Sequence, residues 1–260
     1  MSFKIFQTYK SKDPSTWPLT YIKCQESWQR LHPNIPYRIY DDAAVEEICL
    51  KLIPRWAWNM LIKGVEKADV FRYCQLFLDG GLYVDMDFMA LKEHESLVKL
   101  FSEGVDGPKI VFGKLQMHPG GDKWKFMNSI PNAWMLSIYK GEIFWLVVLQ
   151  TMLNNLRDSI TEIEVKTEVK TGPILLFNSI SKYLEFTSET DAYAFIIDFQ
   201  QFVPTAFSKI HILPPQLIYP CSWLVDTLSE RRLFFNQHNW EEIMKQYPDS
   251  IAFTPWAHNW

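Results

Sequence analysis

The chain has 260 residues, 48% of them hydrophobic, enough to bury one substantial core and too few to demand two. Its 26 basic and 30 acidic side chains leave a net charge of −4, so no strong positive field draws it toward nucleic acid. The longest apolar stretch, residues 143–149, is far too short to cross a bilayer, and the opening MSFKIFQTYK lacks the form of a secretion signal. A soluble, cytoplasmic protein forming one domain over residues 1–260 is therefore expected. The four cysteines, Cys24, Cys49, Cys74 and Cys221, are scattered, and the sequence holds no Asn-x-Ser/Thr acceptor; both features lean toward a reducing compartment.

Residues Phe3–Gln7 form a short apolar run suited to a buried strand, and Leu19–His32 has apolar positions at helical spacing, with Pro33 to end it. Tyr37–Tyr40 predicts a second strand, after which Asp41 and Asp42 cap a helix over Ala43–Leu52. Val65–Leu78 reads as a helix, Gly80 and Gly81 as a turn, and Leu82–Val84 as a strand ending at Asp85. Beyond it, Lys109–Gly113 and Ala133–Ile138 read as strands on either side of a polar loop, and Glu142–Leu156 as a helix. Thr161–Lys170 alternates charged with apolar or Thr positions and predicts an exposed strand; Thr171-Gly172-Pro173 then opens a helix over Ile174–Leu184. Alternating strands and helices place the chain in the α/β class. Aromatic residues make up 15% of the chain, and most of them are expected to fill its core.

Asp85 and Asp87 stand one residue apart at the end of a predicted strand, where alternation sends both carboxylates to the same face. Paired hard oxygen ligands suit Mg²⁺ or Mn²⁺, an ion able to neutralise a departing nucleoside diphosphate. With 14 Asp in the chain, about one Asp-x-Asp arises by chance, so context must decide. The preceding helix carries Asp69 and Arg72 on one face, at i and i+3. In isolation that pair reads as a surface ion pair of little weight; beside the carboxylates it reads as a set of contacts to a polar ligand.

The stretch KADVFRYCQLFLDGGLYVDMDFMALK resembles the DxD sugar-binding region of glycosyltransferase family 32. That group holds fungal mannosyltransferases, α1,4-galactosyl- and N-acetylglucosaminyltransferases and, more distantly, glucosylating clostridial toxins. The shared form is A-D-x-x-R-Y, then G-G-x-Y, then D-x-D, present here as Ala68, Asp69, Arg72, Tyr73, Gly80, Gly81, Tyr83, Asp85 and Asp87. Weaker similarity extends to residues 5–10, where Phe6 and Tyr9 stand for the family's usual His and Trp. It continues through Ser27-Trp28, Asn132-Ala133, Thr171-Gly172-Pro173 and the closing Ala257-His258-Asn259-Trp260.

The resemblance implies a GT-A type nucleotide-diphospho-sugar transferase fold, a Rossmann-like mixed sheet flanked by helices, and sugar transfer with retention of configuration. It implies catalytic roles for Asp69, Arg72, Asp85 and Asp87. Asp87 would bind the metal, Mn²⁺ or Mg²⁺, and Asp85 would hold the ribose and reach the ion directly or through water. His258 would complete the ligand set. Donor contacts would come from Asp69, Arg72, Tyr83, Asp85 and Asn132, with Tyr9 stacking on the base, Gln7 and Thr8 lining its pocket, and Trp260 covering the diphosphate. The expected donor is a UDP-sugar in preference to GDP-mannose, and the acceptor a glycan or lipid-linked glycan. Two rivals stay open: a phosphotransferase or phosphatase, disfavoured because Asp85-Met86-Asp87-Phe88-Met89 lacks a D-x-[TV] pattern, and a non-catalytic carbohydrate-binding protein, disfavoured because all four central polar residues are present.

Overall fold

The computed structural model describes residues 3–94, 98–99, 109–117, 122–158, 166–204, 207–222 and 240–256. Its centre is a mixed sheet of six strands: β1 Ile5–Thr8, β2 Tyr37–Tyr40, β3 Gly81–Val84, β5 Ile110–Gly113, β6 Trp134–Ser137 and β7 Ile210–Leu213. They lie in the order β2-β1-β3-β6-β5-β7, and β6 alone runs against the others. A separate antiparallel pair joins β4, Met89–Ala90, to β8, Ala252–Phe253.

The helices are α1 Leu19–Leu31, α2 Asp42–Cys49, α3 Arg55–Asn59, α4 Gly64–Asp79, α5 Lys123–Met127 and α6 Ile143–Asp158. They continue with α7 Thr167–Lys170, α8 Pro173–Glu185, α9 Glu189–Phe195, α10 Pro215–Ile218 and α11 Trp240–Gln246. Among the described residues, no helix is long and apolar enough to cross a membrane.

Side-chain alternation divides the core into two layers. Phe6, Tyr83, Met135 and Phe112 point to one face, where α2, α4, α6 and α8 cover them; Ile5, Leu82, Val84, Leu136 and Val111 fill the other. Cross-strand register keeps each layer together, with Leu82 opposite Leu136 and Tyr83 opposite Met135. A sheet buried on both faces needs apolar residues at successive positions, which is why β3, β5 and β6 read as short unbroken apolar runs. The helix α6 is buried along most of its length, as its run of residues 143–149 demands.

The turn into β3 rests on glycine at both positions. Gly80 and Gly81 take φ of 64° and 99°, and a Cβ on Gly81 would stand 2.6 Å from the Lys4 carbonyl oxygen. This close approach lets β3 enter beside β1 directly after α4.

The expected α/β class is the class found, a central mixed sheet flanked by helices. Three local expectations are corrected. The helix after Asp41 stops at Cys49, short of Leu52, although Asp41 does cap it by accepting from the Ala44 N–H at 3.0 Å. The polar loop after Gly113 contains α5, which Asp122 caps through the Lys125 N–H at 2.8 Å. Of the strand expected over Thr161–Lys170, residues 161–165 lie outside the described residues and Thr167–Lys170 is helical. Tertiary anchoring outweighs the alternation there: Lys170 Nζ donates to the Met60 carbonyl at 2.6 Å and meets Glu66 at 3.1 Å.

Candidate functional site

The site begins with α4. Glu66 lies in its first turn and accepts from the Ile62 and Lys63 backbone N–H groups at 2.9 and 3.3 Å, fixing the start of the helix. One and two turns further on, α4 turns Asp69, Arg72 and Tyr73 inward, and all three are buried. The strand β3, next to α4 through the diglycine turn, delivers Asp85 at its carboxyl end. Because β6 runs antiparallel to β3, Asn132 and Ala133 arrive at the same end of the sheet, and the Asp85 N–H donates to the Ala133 carbonyl at 2.9 Å.

The aspartate pair itself sits in a turn, not on a strand. The Phe88 N–H donates to the Asp85 carbonyl at 3.0 Å, closing a four-residue turn after β3 ends at Val84. Strand alternation is therefore not what brings the two carboxylates to one cavity. The intervening Met86 is taken up by an aromatic cluster with Trp17 and Tyr21. Just beyond, Trp28 Nε1 donates to the Phe88 carbonyl at 2.7 Å, so the turn is fixed from both sides.

Arg72 is the hub of the network, with only 1% of its surface exposed. Its guanidinium lies 3.2 Å from Asp69 Oδ1 and 3.3 Å from Asp85 Oδ1, and it donates to the Asn132 carbonyl at 2.6 Å. It also lies over the Tyr83 ring, 4.5 Å from the centroid, while the Tyr83 hydroxyl donates to Asp85 Oδ1 at 2.6 Å. Asp69 accepts from Asn132 Nδ2 at 2.9 Å and from the Thr171 hydroxyl at 2.8 Å. Tyr73 joins the same set: its hydroxyl accepts from Asn132 at 3.0 Å and donates to the Thr171 carbonyl at 2.8 Å.

Burial raises the Asp69 carboxyl to about 6 even though Arg72, Thr171 and Asn132 pull the other way. Burial does the same to Asp85, with Arg72 opposing and Asp87 adding to the rise, and it too is pushed up to about 6. Burial works against the Arg72 charge, but Asp85, Tyr83 and Asp69 outweigh it and hold the guanidinium firmly cationic. A buried charge set of this kind persists only when each member is hydrogen-bonded, as these are.

Asp69, Arg72, Asp85, Asp87 and Asn132 line a cavity of about 360 Å³. Val65, Asn128, Pro131 and Ala133 line it as well, with Thr167, Glu168, Gly172 and Pro173 from α7 and the start of α8, and Trp256 from beyond β8. The volume suits a small polar ligand. Among the described residues no three His, Cys, Asp or Glu side chains gather as a ready metal cage. Two carboxylates in a cavity still fit Mg²⁺ or Mn²⁺, which commonly take one or two carboxylates and draw their other ligands from phosphate and water.

The other residues singled out from sequence fall in several places. Gln7 is fully buried, donates to the Asp85 carbonyl at 2.8 Å and accepts from the Tyr37 hydroxyl, so it braces the turn from behind. The Thr8 hydroxyl donates to the Tyr40 carbonyl at 3.0 Å. Tyr9 packs edge-on against Trp17 and Tyr21, with centroids 6.4 and 5.4 Å away. His258 and Trp260 lie outside the described residues. The sequence reading gave no site role to Thr171, Glu168 or Trp256. Thr171 carried a signal in the Thr-Gly-Pro element, whereas nothing in the local sequence marks the other two.

With this geometry in view, residues 18–101 match the family described as the glycosyltransferase sugar-binding region containing DXD motif. The chain is 23% identical over 243 residues to the initiation-specific alpha-1,6-mannosyltransferase of Candida albicans, covering 81% of this chain and 63% of that protein. It is 31% identical over 86 residues to inositol phosphoceramide mannosyltransferase 3 of Schizosaccharomyces pombe, covering 32% of this chain and 23% of that protein. The matched spans thus stay below two thirds of either relative's length. Among solved structures, the PaToxG glycosyltransferase is 15% identical, with a TM-score of 0.49 and 76% of each chain covered. The Ala-Asp-x-x-Arg-Tyr helix, the diglycine turn and Asp85-x-Asp87 all fall inside the span that matches the glycosyltransferase sugar-binding region containing DXD motif.

Proposed function

We propose that the chain is a single GT-A type catalytic domain that transfers a sugar from a nucleoside diphosphate sugar to a hydroxyl of a glycan or glycolipid acceptor. The observation that carries this reading is the buried Arg72 hub, which orients Asp69 and Asp85 toward a cavity shared with Asp87. Asp69, Arg72 and Asn132 would hold sugar hydroxyls. Asp85 and Asp87 would hold Mn²⁺ or Mg²⁺, whose chemistry is to offset the charge of the leaving diphosphate.

Transfer breaks the bond between the anomeric carbon and the diphosphate oxygen and forms one from that carbon to the acceptor oxygen. The acceptor hydroxyl enters on the face the diphosphate leaves, and its proton passes to a phosphate oxygen. Configuration is retained without a protein nucleophile. What these residues supply is orientation and fixed charge.

Both relatives named above are mannosyltransferases by name, so GDP-mannose stands beside the UDP-sugars as a donor to test. A ligand that binds only the native state raises the melting temperature. A thermal-shift and hydrolysis screen of GDP- and UDP-sugars with and without Mn²⁺ is expected to give a metal-dependent response to one nucleotide class. Asp87→Ala should abolish that response while leaving the protein folded. Silence of folded wild-type protein across the panel would overturn the reading in favour of a non-catalytic carbohydrate-binding protein, and full activity in Asp87→Ala would overturn the assignment of the metal to Asp87.

A further inference from the structure

Among the described residues, Trp256 is the only non-glycine residue in the left-handed region, with φ of 55°. There the Cβ crowds the following carbonyl, so a bulky side chain stays only where its surroundings hold it, and such positions cluster at binding sites. The surroundings of Trp256 do hold it. Its Nε1 donates to the Cys221 carbonyl at 2.9 Å, and its backbone N–H donates to the Thr254 hydroxyl at 3.0 Å. The indole stacks on Tyr219, with centroids 5.3 Å apart and planes 16° apart, and Tyr219 in turn meets Phe88 edge-on at 5.5 Å. The ring is therefore tied to the residue that directly follows Asp87.

Trp256 is 6% exposed, and it lines the cavity that holds Asp69, Arg72 and the Asp85–Asp87 pair. Tyr219 covers one face of the indole and Cys221 takes its N–H, so what the ring offers a ligand is aromatic carbon. The cavity thus joins fixed hydrogen-bonding groups to an aromatic surface. A pyranose has the matching form, hydroxyls around its rim and C–H bonds on its faces. A diphosphate does not, since it needs N–H or cationic partners that this ring cannot give.

We propose that Trp256 is the aromatic platform for the transferred hexose of the donor, holding the sugar ring while Asp69 and Arg72 hold its hydroxyls. This rests on the glycosyltransferase reading above and adds a specificity-determining residue to it. The strained backbone sets the ring's position, so the platform is fixed before the donor arrives.

The test is calorimetry on the whole chain with Mn²⁺, comparing GDP-mannose with GDP and UDP-glucose with UDP on wild type, Trp256→Phe, Trp256→Leu and Trp256→Ala. For the nucleotide class that wild type binds, Trp256→Ala and Trp256→Leu should weaken the nucleotide-sugar about tenfold. The same variants should leave the bare diphosphate within about twofold, and Trp256→Phe should keep most of the sugar affinity. Trp256→Leu retains apolar bulk and serves where Trp256→Ala does not fold. Equal weakening of sugar and bare diphosphate, or no weakening in either, overturns the platform and leaves the transferase reading intact. Wild type that binds neither ligand overturns both.

Discussion

Two sets of residues line one cavity, and they are held in place by different means. Asp69, Arg72, Asp85 and Asp87 come from one stretch of chain, and Asn132, Thr171, Tyr73 and Tyr83 lock the first three through hydrogen bonds and ion pairs. Thr167, Glu168 and Pro173 come from α7 and the start of α8 and Trp256 from beyond β8, where stacking on Tyr219, hydrogen bonds to Cys221 and Thr254 and a left-handed backbone hold it. Asp69, Arg72 and Asp85 behave as a unit, because removing any one of them leaves another buried charge or polar group without its partner. Members of the second set are separable. A fold built this way keeps its chemistry constant while specificity varies around it.

The largest effect should come from breaking the locked set at its hub. Arg72→Ala leaves Asp69 and Asp85 buried without their cation and should cost about 3–5 kcal/mol of stability, with activity lost. The cost should depend on pH. Both carboxyls are raised in the folded protein from 3.8 to about 6. Such groups favour the folded state while they stay protonated, so their contribution is present below about pH 4 and drains away as the pH rises through about 6. Without Arg72 both rise further, so urea unfolding should show a larger deficit for the variant at pH 8 than at pH 5. An equal deficit at both would mean that Arg72 acts by packing alone.

An intermediate effect is expected from Thr171→Val, which keeps shape and removes the donor to Asp69. A loss of about 1–3 kcal/mol, with activity falling alongside it, would mark Thr171 as part of the locked set. Unchanged unfolding would move it out. The smallest effect should come from Glu168→Ala, at the partly exposed side of the cavity. Stability should stay within about 0.5 kcal/mol, and the acceptor KM should rise a few-fold with the donor KM unmoved. A matching rise in the donor KM would show that the second set is not separable.

Legibility in the sequence follows the same division. The elements around Asp69 to Asp87 were readable because helix period, diglycine turn and apolar strand fall in one continuous stretch, each consistent with the next. The route by which the aspartates converge was not, because Met86 anchoring in the cluster of Trp17 and Tyr21 is a contact between distant residues. The helical state of Thr167–Lys170 was hidden for the same reason, since Glu66 and the Met60 carbonyl hold Lys170 from another part of the chain. Trp256 looks like any other of the 11 tryptophans until its backbone angle and its neighbours are seen.

The β4–β8 pairing also bears on how the molecule is made. Met89 and Ala90 follow the aspartate turn at once, yet their partners Phe253 and Ala252 are more than half the chain away. During synthesis the ribosome must release nearly all of these residues before that ladder can close and Trp256 can reach Tyr219. Closing so long a loop is slow and is rewarded only at the end. A nascent chain can thus assemble the Arg72 network early while the aromatic side of its cavity is still missing, and the ability to grip a ligand arrives as one of the last events of folding.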